Sequence, residues 1–195
     1  MLIERIIGAF TFRKGVYAEV EKDTSFTTTA WILVAVVTFL NQLGSHASPN
    51  LVQWLLGAVG GTIFAVIAFA VAAMVINWVG RAVFKADVTF GELVRTLGLA
   101  SVWQVVGVIG AVAAFSAGLS CLLAPLMFIA WILMMIAWFV ATKEALDLEW
   151  VQTIVTVIIG WIAFIAISVV AAIVLGLFGL GVGAVGGLLG VGLGL

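Results

Sequence analysis

The side chains that could carry out chemistry in this sequence are few, and they do not form a recognisable catalytic set. There is one histidine, His46, and one cysteine, Cys121. A metal site needs several converging ligands, and hydrolysis needs a nucleophile beside a base. The hydroxyls of Ser116 and Ser120 lie near Cys121 in the sequence, but the uncharged stretch that contains them has no base. We therefore predict that the protein is not an enzyme and binds no cofactor.

His46 lies in a short polar segment, 41–50, that also contains glycine and proline. Such a composition is typical of a loop, so we predict a solvated loop histidine. An imidazole can also ligate a haem or chlorin, and this alternative stays open at the level of sequence.

The composition predicts a protein that spans a membrane. The 195 residues are 65% hydrophobic and 9% charged, with a mean hydropathy of +1.36. Soluble domains carry roughly a quarter charged residues. Because eight basic and nine acidic residues nearly cancel, we expect no nucleic-acid partner. A single cysteine also excludes an internal disulfide framework.

Three uncharged stretches, 24–80, 96–142 and 150–195, are long enough to cross a bilayer more than once. A membrane-spanning helix needs roughly 20 apolar residues. The polar segment 41–50 divides the first stretch, and the segment 116–125, with glycine, serine and proline, divides the second. We predict an all-α polytopic membrane protein with five spans, at about 26–43, 56–79, 97–117, 123–142 and 151–175.

The two ends of the chain differ from these spans. In the first 25 residues, apolar side chains recur at helical spacing, at Leu2, Ile3, Ile6, Ile7 and Phe10. This pattern predicts an amphipathic arm in the membrane interface, and packing of the arm against the ends of the spans is the alternative. Nine of the last 20 residues, 176–195, are glycine. We predict an apolar tail without a sixth span, and re-entry of the tail into the membrane stays open.

Basic residues fall on one side of this five-span arrangement. They lie before span one, between spans two and three, and between spans four and five. Loops rich in lysine and arginine stay in the cytoplasm, so we expect the N-terminus inside and the C-terminus outside. The cytoplasmic face that we predict for interactions consists of Arg13, Lys14, Arg81, Lys85, Arg95 and Lys143.

Two local patterns predict structure rather than chemistry. Thr89 is followed three residues later by Glu92, which is the pattern of a capping box at a helix start. Gly57, Gly61 and Ala65 recur every four residues in span two, and small residues at this spacing allow neighbouring helices to approach closely.

Several segments resemble the Yip family of five-span membrane proteins, named for interaction with Ypt and Rab GTPases. They are FRKGVYAEV at 12–20, FKADVTFGELVRTLGLA at 84–100 and KEAL at 143–146. The bacterial and archaeal branch is the more similar one. The resemblance implies an inner N-terminus, five spans and a membrane-organising role. Eukaryotic members carry a long polar N-terminal region and an acidic Asp-Leu-Tyr-Gly-Pro motif that this sequence lacks, so GTPase binding does not follow.

We therefore predict a non-enzymatic scaffold in the plasma membrane of a prokaryote. It would contact membrane lipids and hold a protein partner, or organise lipid, through its cytoplasmic face. One alternative is an accessory subunit of a larger respiratory or photosynthetic complex. Another is a channel or lipid transporter. The lack of ionisable residues inside the spans disfavours a coupled transporter, and a passive pore stays open.

Overall fold

The computed structural model describes residues 2–114, 117–178 and 180, which form helices joined by short connections, with no strand among them. The helices are α1 (Leu2–Phe10), α2 (Val16–Lys22), α3 (Phe26–Ser45), α4 (Leu51–Phe84), α5 (Phe90–Ala100), a 3₁₀ segment (Ser101–Ile109), α6 (Gly110–Ala113), α7 (Ala117–Leu146) and α8 (Trp150–Leu177). The predicted apolar tail lies outside the described residues apart from 176–178 and 180.

Within the described residues, five helices are long and apolar enough to cross a membrane. They are Phe26–Ser45, Leu51–Phe84, Phe90–Ala113, Gly118–Leu146 and Trp150–Leu177. The predicted all-α fold with five spans is therefore confirmed. The bundle has two ends. The arm end holds α1, α2 and the connections 85–89 and 147–149, and the far end holds the connection 46–50.

The start of span four differs from the predicted loop at 116–125. Helix α7 already begins at Ala117 and contains Pro125 in its interior. The Ser120 hydroxyl donates a hydrogen bond to the carbonyl of Ala113 at 2.6 Å, which joins α7 to the preceding helix. Proline removes one backbone hydrogen bond, a loss that membrane helices tolerate when neighbouring groups compensate. Proline and serine here therefore lie inside a helix rather than in a loop.

Helix α5 forms the centre of the arm end. Every residue from Leu93 to Ala100 is buried, and the helix packs against α2, α3, α4 and α7. The Asn77 side chain donates to the carbonyl of Val88 at 3.3 Å, which fixes the connection that leads into α5. A helix that is buried all round must have its polar groups satisfied by its neighbours, and this requirement shapes the arm end.

The 3₁₀ segment continues span three and lies along α3. Side chains three residues apart are eclipsed in this geometry, so Gln104, Gly107 and Gly110 form a straight row. The hydroxyl of Thr38 donates to the Gln104 side chain at 3.2 Å. Further along the row, a Cβ atom on Gly44 would overlap the carbonyl oxygen of Gly107. The two backbones are therefore in direct contact near the far end.

Candidate functional site

The arm is held against the bundle by charged side chains at both ends of α2. At its N-terminal end, the preceding residue is Gly15, which has no side chain to cap the helix. Instead, the carboxylate of Glu144, in the last turn of α7, accepts the backbone N–H of Ala18 at 2.9 Å. A negative group at a helix N-terminus satisfies a free N–H and complements the helix dipole. Glu144 thus supplies the cap from another helix.

At the other end of α2, the guanidinium of Arg95 reaches the last carbonyls of the helix. It donates to the carbonyl of Val20 at 3.0 Å, to that of Glu21 at 2.9 Å and to the Thr27 hydroxyl at 3.1 Å. Arg95 is only 5% exposed. Its charge therefore binds the arm and is not available to a partner, so the predicted place of Arg95 in an exposed interaction face is wrong.

Apolar contacts complete the attachment of the arm. Three side chains of α2 itself are buried, namely those of Val16, Tyr17 and Val20. Burial raises the pKa of the Tyr17 hydroxyl, and the negative charge of Glu144 adds to this shift. Helix α2 therefore packs against the ends of the spans, which was the alternative to a position in the membrane interface.

Helix α1 is attached on one face only. Arg5 forms an ion pair with Asp23 at 2.7 Å and lies 5.1 Å from the centre of the Phe26 ring. Phe10 and Phe12 contact the indole of Trp103, with ring centres 4.8 Å and 6.0 Å away. On its other face, α1 leaves apolar side chains exposed, namely Leu2, Ile3 and Ile7.

The other basic residues of the predicted interaction face remain accessible. Arg13, Lys14, Arg81 and Lys85 are exposed, and Lys143 is half-buried. Arg13 forms an ion pair with Glu19 at 2.7 Å. Exposed ion pairs contribute little to stability, so these charges are free to exchange partners. Arg13 and Lys14 lie in the turn between α1 and α2, Arg81 lies in the last turn of α4, and Lys85 directly follows that helix.

The helix start at Thr89 has the geometry of a capping box. The Thr89 hydroxyl accepts the N–H of Glu92 at 3.3 Å, and the Glu92 carboxylate accepts the N–H of Thr89 at 2.7 Å. Helix α5 begins at the next residue, Phe90. These two residues therefore set the entry into span three.

At the far end, the glycines of α4 accommodate the imidazole of His46. A Cβ atom on Gly57 would lie 2.9 Å from Cδ2 of His46, and one on Gly61 would lie 2.9 Å from Cε1. Ala65, one turn further along, is half-buried. His46 is 8% exposed, so the expectation of a solvated loop histidine is wrong. The physical reason is that two residues without side chains leave a groove of ring size.

The nitrogens of His46 differ in their surroundings. Nδ1 lies 3.2 Å from the carbonyl of Gln42. Nε2 is buried and has no hydrogen-bond partner among the described groups. Nε2 lies between the two ring carbons that face Gly57 and Gly61 of α4. Burial lowers the pKa of His46, and its hydrogen bond with Gln42 partly offsets this shift.

A shallow cavity of about 410 Å³ lies at the arm end, between the last turn of α7 and the start of α8. Its lining residues are Lys143, Glu149, Trp150 and Val151. The ammonium group of Lys143 lies 5.4 Å from the centre of the Trp150 ring, a cation–π distance. The cavity thus places a positive, a negative, an aromatic and an aliphatic group side by side.

Sequence reasoning missed the role of Glu144. Its partner, the N–H of Ala18, lies 126 residues away, so no local spacing reveals the pair. The absence of a capping side chain at Gly15 was the only available signal, because a helix that starts after glycine needs another acceptor.

The comparisons with known proteins agree with this architecture. The sequence model of the Yip1 domain matches residues 7–172, from α1 into α8. Neither the curated proteins nor the solved structures gave a match. The domain match covers most of the chain, and the five apolar helices make it an integral membrane protein. The chain therefore belongs to the Yip family.

Proposed function

We propose that the protein is a non-enzymatic scaffold whose arm end faces the cytoplasm and holds a protein partner or organises lipid. The observation that carries this proposal is the distribution of charge. All eight basic and nine acidic residues lie in the segments 4–23, 81–95 and 143–149, which belong to the arm end. The positive-inside rule favours a cytoplasmic position for this end. The resemblance to the bacterial and archaeal branch of the family is the support for a prokaryotic plasma membrane.

The arm gives this face a fixed shape. Glu144 and Arg95 bind opposite ends of α2. The apolar side chains of α2 are buried, so its outer side remains available to a partner. A preorganised surface loses less conformational entropy on binding than a flexible one. Basic and acidic groups alternate on the exposed side, as with Arg13 and Glu19, which favours a protein partner of mixed charge over a nucleic acid.

Crosslinking tests the scaffold proposal. A photoreactive residue at Lys14 or at Lys85, both exposed at the arm end, should capture the same partner in native membranes. The matched control is Pro49, which is exposed at the far end and should capture none. Absence of a reproducible partner at both arm-end positions would overturn the protein-binding form of the proposal.

Reporter fusions test the orientation. A reporter inserted near Lys85 or Lys143 should be active in the cytoplasm, and one fused after residue 195 should be active outside. A cytoplasmic signal from the C-terminal fusion would contradict the five-span orientation.

A second candidate, an accessory subunit of a larger membrane complex, is favoured by the exposure of α7. Only 6% of the most apolar part of span four is buried within the chain, against 22% to 39% in the other four spans. Its exposed side chains include Leu122, Phe128 and Ile129. Neighbouring subunits would cover such a face. Native purification separates the two candidates, because a subunit co-purifies at constant stoichiometry with its complex.

A further inference from the structure

The cavity between Lys143 and Trp150 lies at the level of the membrane surface. Lys143 is in the last turn of α7, and Trp150 is the first residue of α8, and both helices are candidate spans. Lysine and tryptophan at the ends of spans lie at the height of the lipid headgroups. A group that occupies this cavity therefore meets the headgroup region and not the bulk cytoplasm.

The charges in the cavity are not paired with each other. The side-chain ion pairs of the described chain join Arg5 to Asp23 and Arg13 to Glu19, and neither Lys143 nor Glu149 takes part in them. Lys143 has three N–H donors, and the Glu149 carboxylate has lone pairs beyond those used at the start of α8. The cavity thus offers a donor for a phosphate and an acceptor for an ammonium group.

Below the cavity, α8 presents an apolar stripe toward lipid. Val151 is 73% exposed, and Val155 and Ile158 follow one and two turns later, with exposures of 42% and 46%. Residues at this spacing lie on one face of a helix. An acyl chain that descends from the cavity would lie along this face.

We propose that this cavity binds the headgroup of a zwitterionic phospholipid that carries a primary ammonium. The phosphate contacts Lys143, the ammonium contacts the Glu149 carboxylate, and one acyl chain follows the apolar stripe of α8. An anionic phospholipid without an amine fits less well, because it offers no positive group to the Glu149 carboxylate. The inference rests on the proposed function, since it names the lipid class that the arm end would organise.

Native mass spectrometry of the purified protein tests this site, with phosphatidylethanolamine and phosphatidylglycerol of identical acyl chains as probes. The unaltered protein should retain phosphatidylethanolamine preferentially. Lys143→Gln should weaken its retention by about fivefold, the loss expected for one interfacial charge contact. Glu149→Gln keeps an oxygen that can cap α8, and it should shift the preference toward phosphatidylglycerol.

Lys85→Gln is the matched control, because Lys85 is an exposed lysine at the arm end outside the cavity. It should leave both affinities unchanged. Thermal melting of each variant shows whether it is folded. Glu149→Gln should change which lipid is preferred rather than abolish lipid binding, so misfolding cannot mimic its expected result. Equal retention of the two lipids by the unaltered protein, or an unchanged preference in both cavity variants, would overturn the inference.

The two proposals fail in different ways. Crosslinking at Lys14 and Lys85 does not involve the cavity, so persistent crosslinks without lipid preference would overturn only the lipid site. A lipid preference that depends on Lys143 and Glu149, without crosslinks, would support the lipid site and overturn the protein-binding scaffold.

Discussion

The two ends of the bundle are held together by different means. At the arm end, Arg95 and Glu144 bind the backbone of α2 through directional hydrogen bonds. At the far end, Gly57 and Gly61 admit the ring of His46, and close steric fit takes the place of charge. All charged residues lie at the arm end, where they can form directional hydrogen bonds, whereas small residues at the far end allow close packing.

This difference indicates which changes each end tolerates. A directional contact is lost when one partner is removed, and a buried acceptor then remains unsatisfied. A steric contact is lost when atoms are added, because a packed interior has no spare volume. The arm end should therefore be sensitive to truncation and the far end to enlargement.

Replacement of Arg95 by methionine should have the largest effect. It removes the charged donors to the carbonyls of Val20 and Glu21 and places an apolar side chain beside them, so we expect a loss of about 3 kcal/mol in the free energy of unfolding. Unfolding in mixed micelles measures this loss, and proteolysis should show early release of the arm.

Arg81→Met is the control for Arg95, since Arg81 is exposed on α4. Its effect should stay within about 0.5 kcal/mol. Equal effects of the two substitutions would contradict the anchoring role of Arg95.

Enlargement of Gly61 to leucine tests the far end. The Cβ position already lies 2.7 Å from Oε1 of Gln42, so a branched side chain must separate α3 from α4, at a cost of about 2 kcal/mol. Gly61→Ala should be milder, because the flexible Gln42 side chain can move aside. Gly176→Leu is the control, with open space around its Cβ position, and melting temperatures in detergent compare the three.

Thr89→Ala should have a smaller effect at the arm end. The change removes the acceptor for the N–H of Glu92 and should lower stability by about 1 kcal/mol, the usual loss for an N-cap hydroxyl. Thr89→Ser keeps the hydroxyl and should restore most of the stability. An unchanged unfolding midpoint in the alanine variant would show that this cap is dispensable.

Acidification should weaken the far end by the smallest amount. Burial lowers the pKa of His46 below its ordinary value of 6.5, so the unfolded chain binds a proton more readily than the folded protein. Its contribution to stability is then complete above about pH 6.5 and declines as the pH falls below that value. Unfolding of the parent and of His46→Gln between pH 5 and 8 isolates this term. Parallel profiles would show that His46 does not titrate as described.

Some of these features could be predicted from the sequence because they depend on local pattern. Uncharged length located the five spans, and the spacing of Thr89 and Glu92 located the start of α5. Hydropathy reflects how favourably a segment transfers into lipid, but it does not indicate which other helix the segment packs against. For this reason the burial of Arg95 and the anchoring role of Glu144 were not predictable.

The far end also shows that tertiary contacts could not be predicted from local sequence patterns. His46 and the pair Gly57 and Gly61 were each recognisable in the sequence, but only the tertiary structure brings the ring to the glycines. Pro125 misled the prediction for a related reason. Its effect on a helix depends on whether neighbouring groups compensate for the missing hydrogen bond, and that is a property of packing.

The 3₁₀ segment of span three links the length of this span to its rotation. Its nine residues rise about 2.0 Å each with three residues per turn, whereas an α-helix rises 1.5 Å with 3.6 residues per turn. Conversion of the segment to α geometry would shorten the span by about 4.5 Å and turn everything beyond it by roughly half a revolution. Gly110 would then lose its contact with Gly44 of α3. Such a conversion would therefore couple an axial displacement of span three to its rotation.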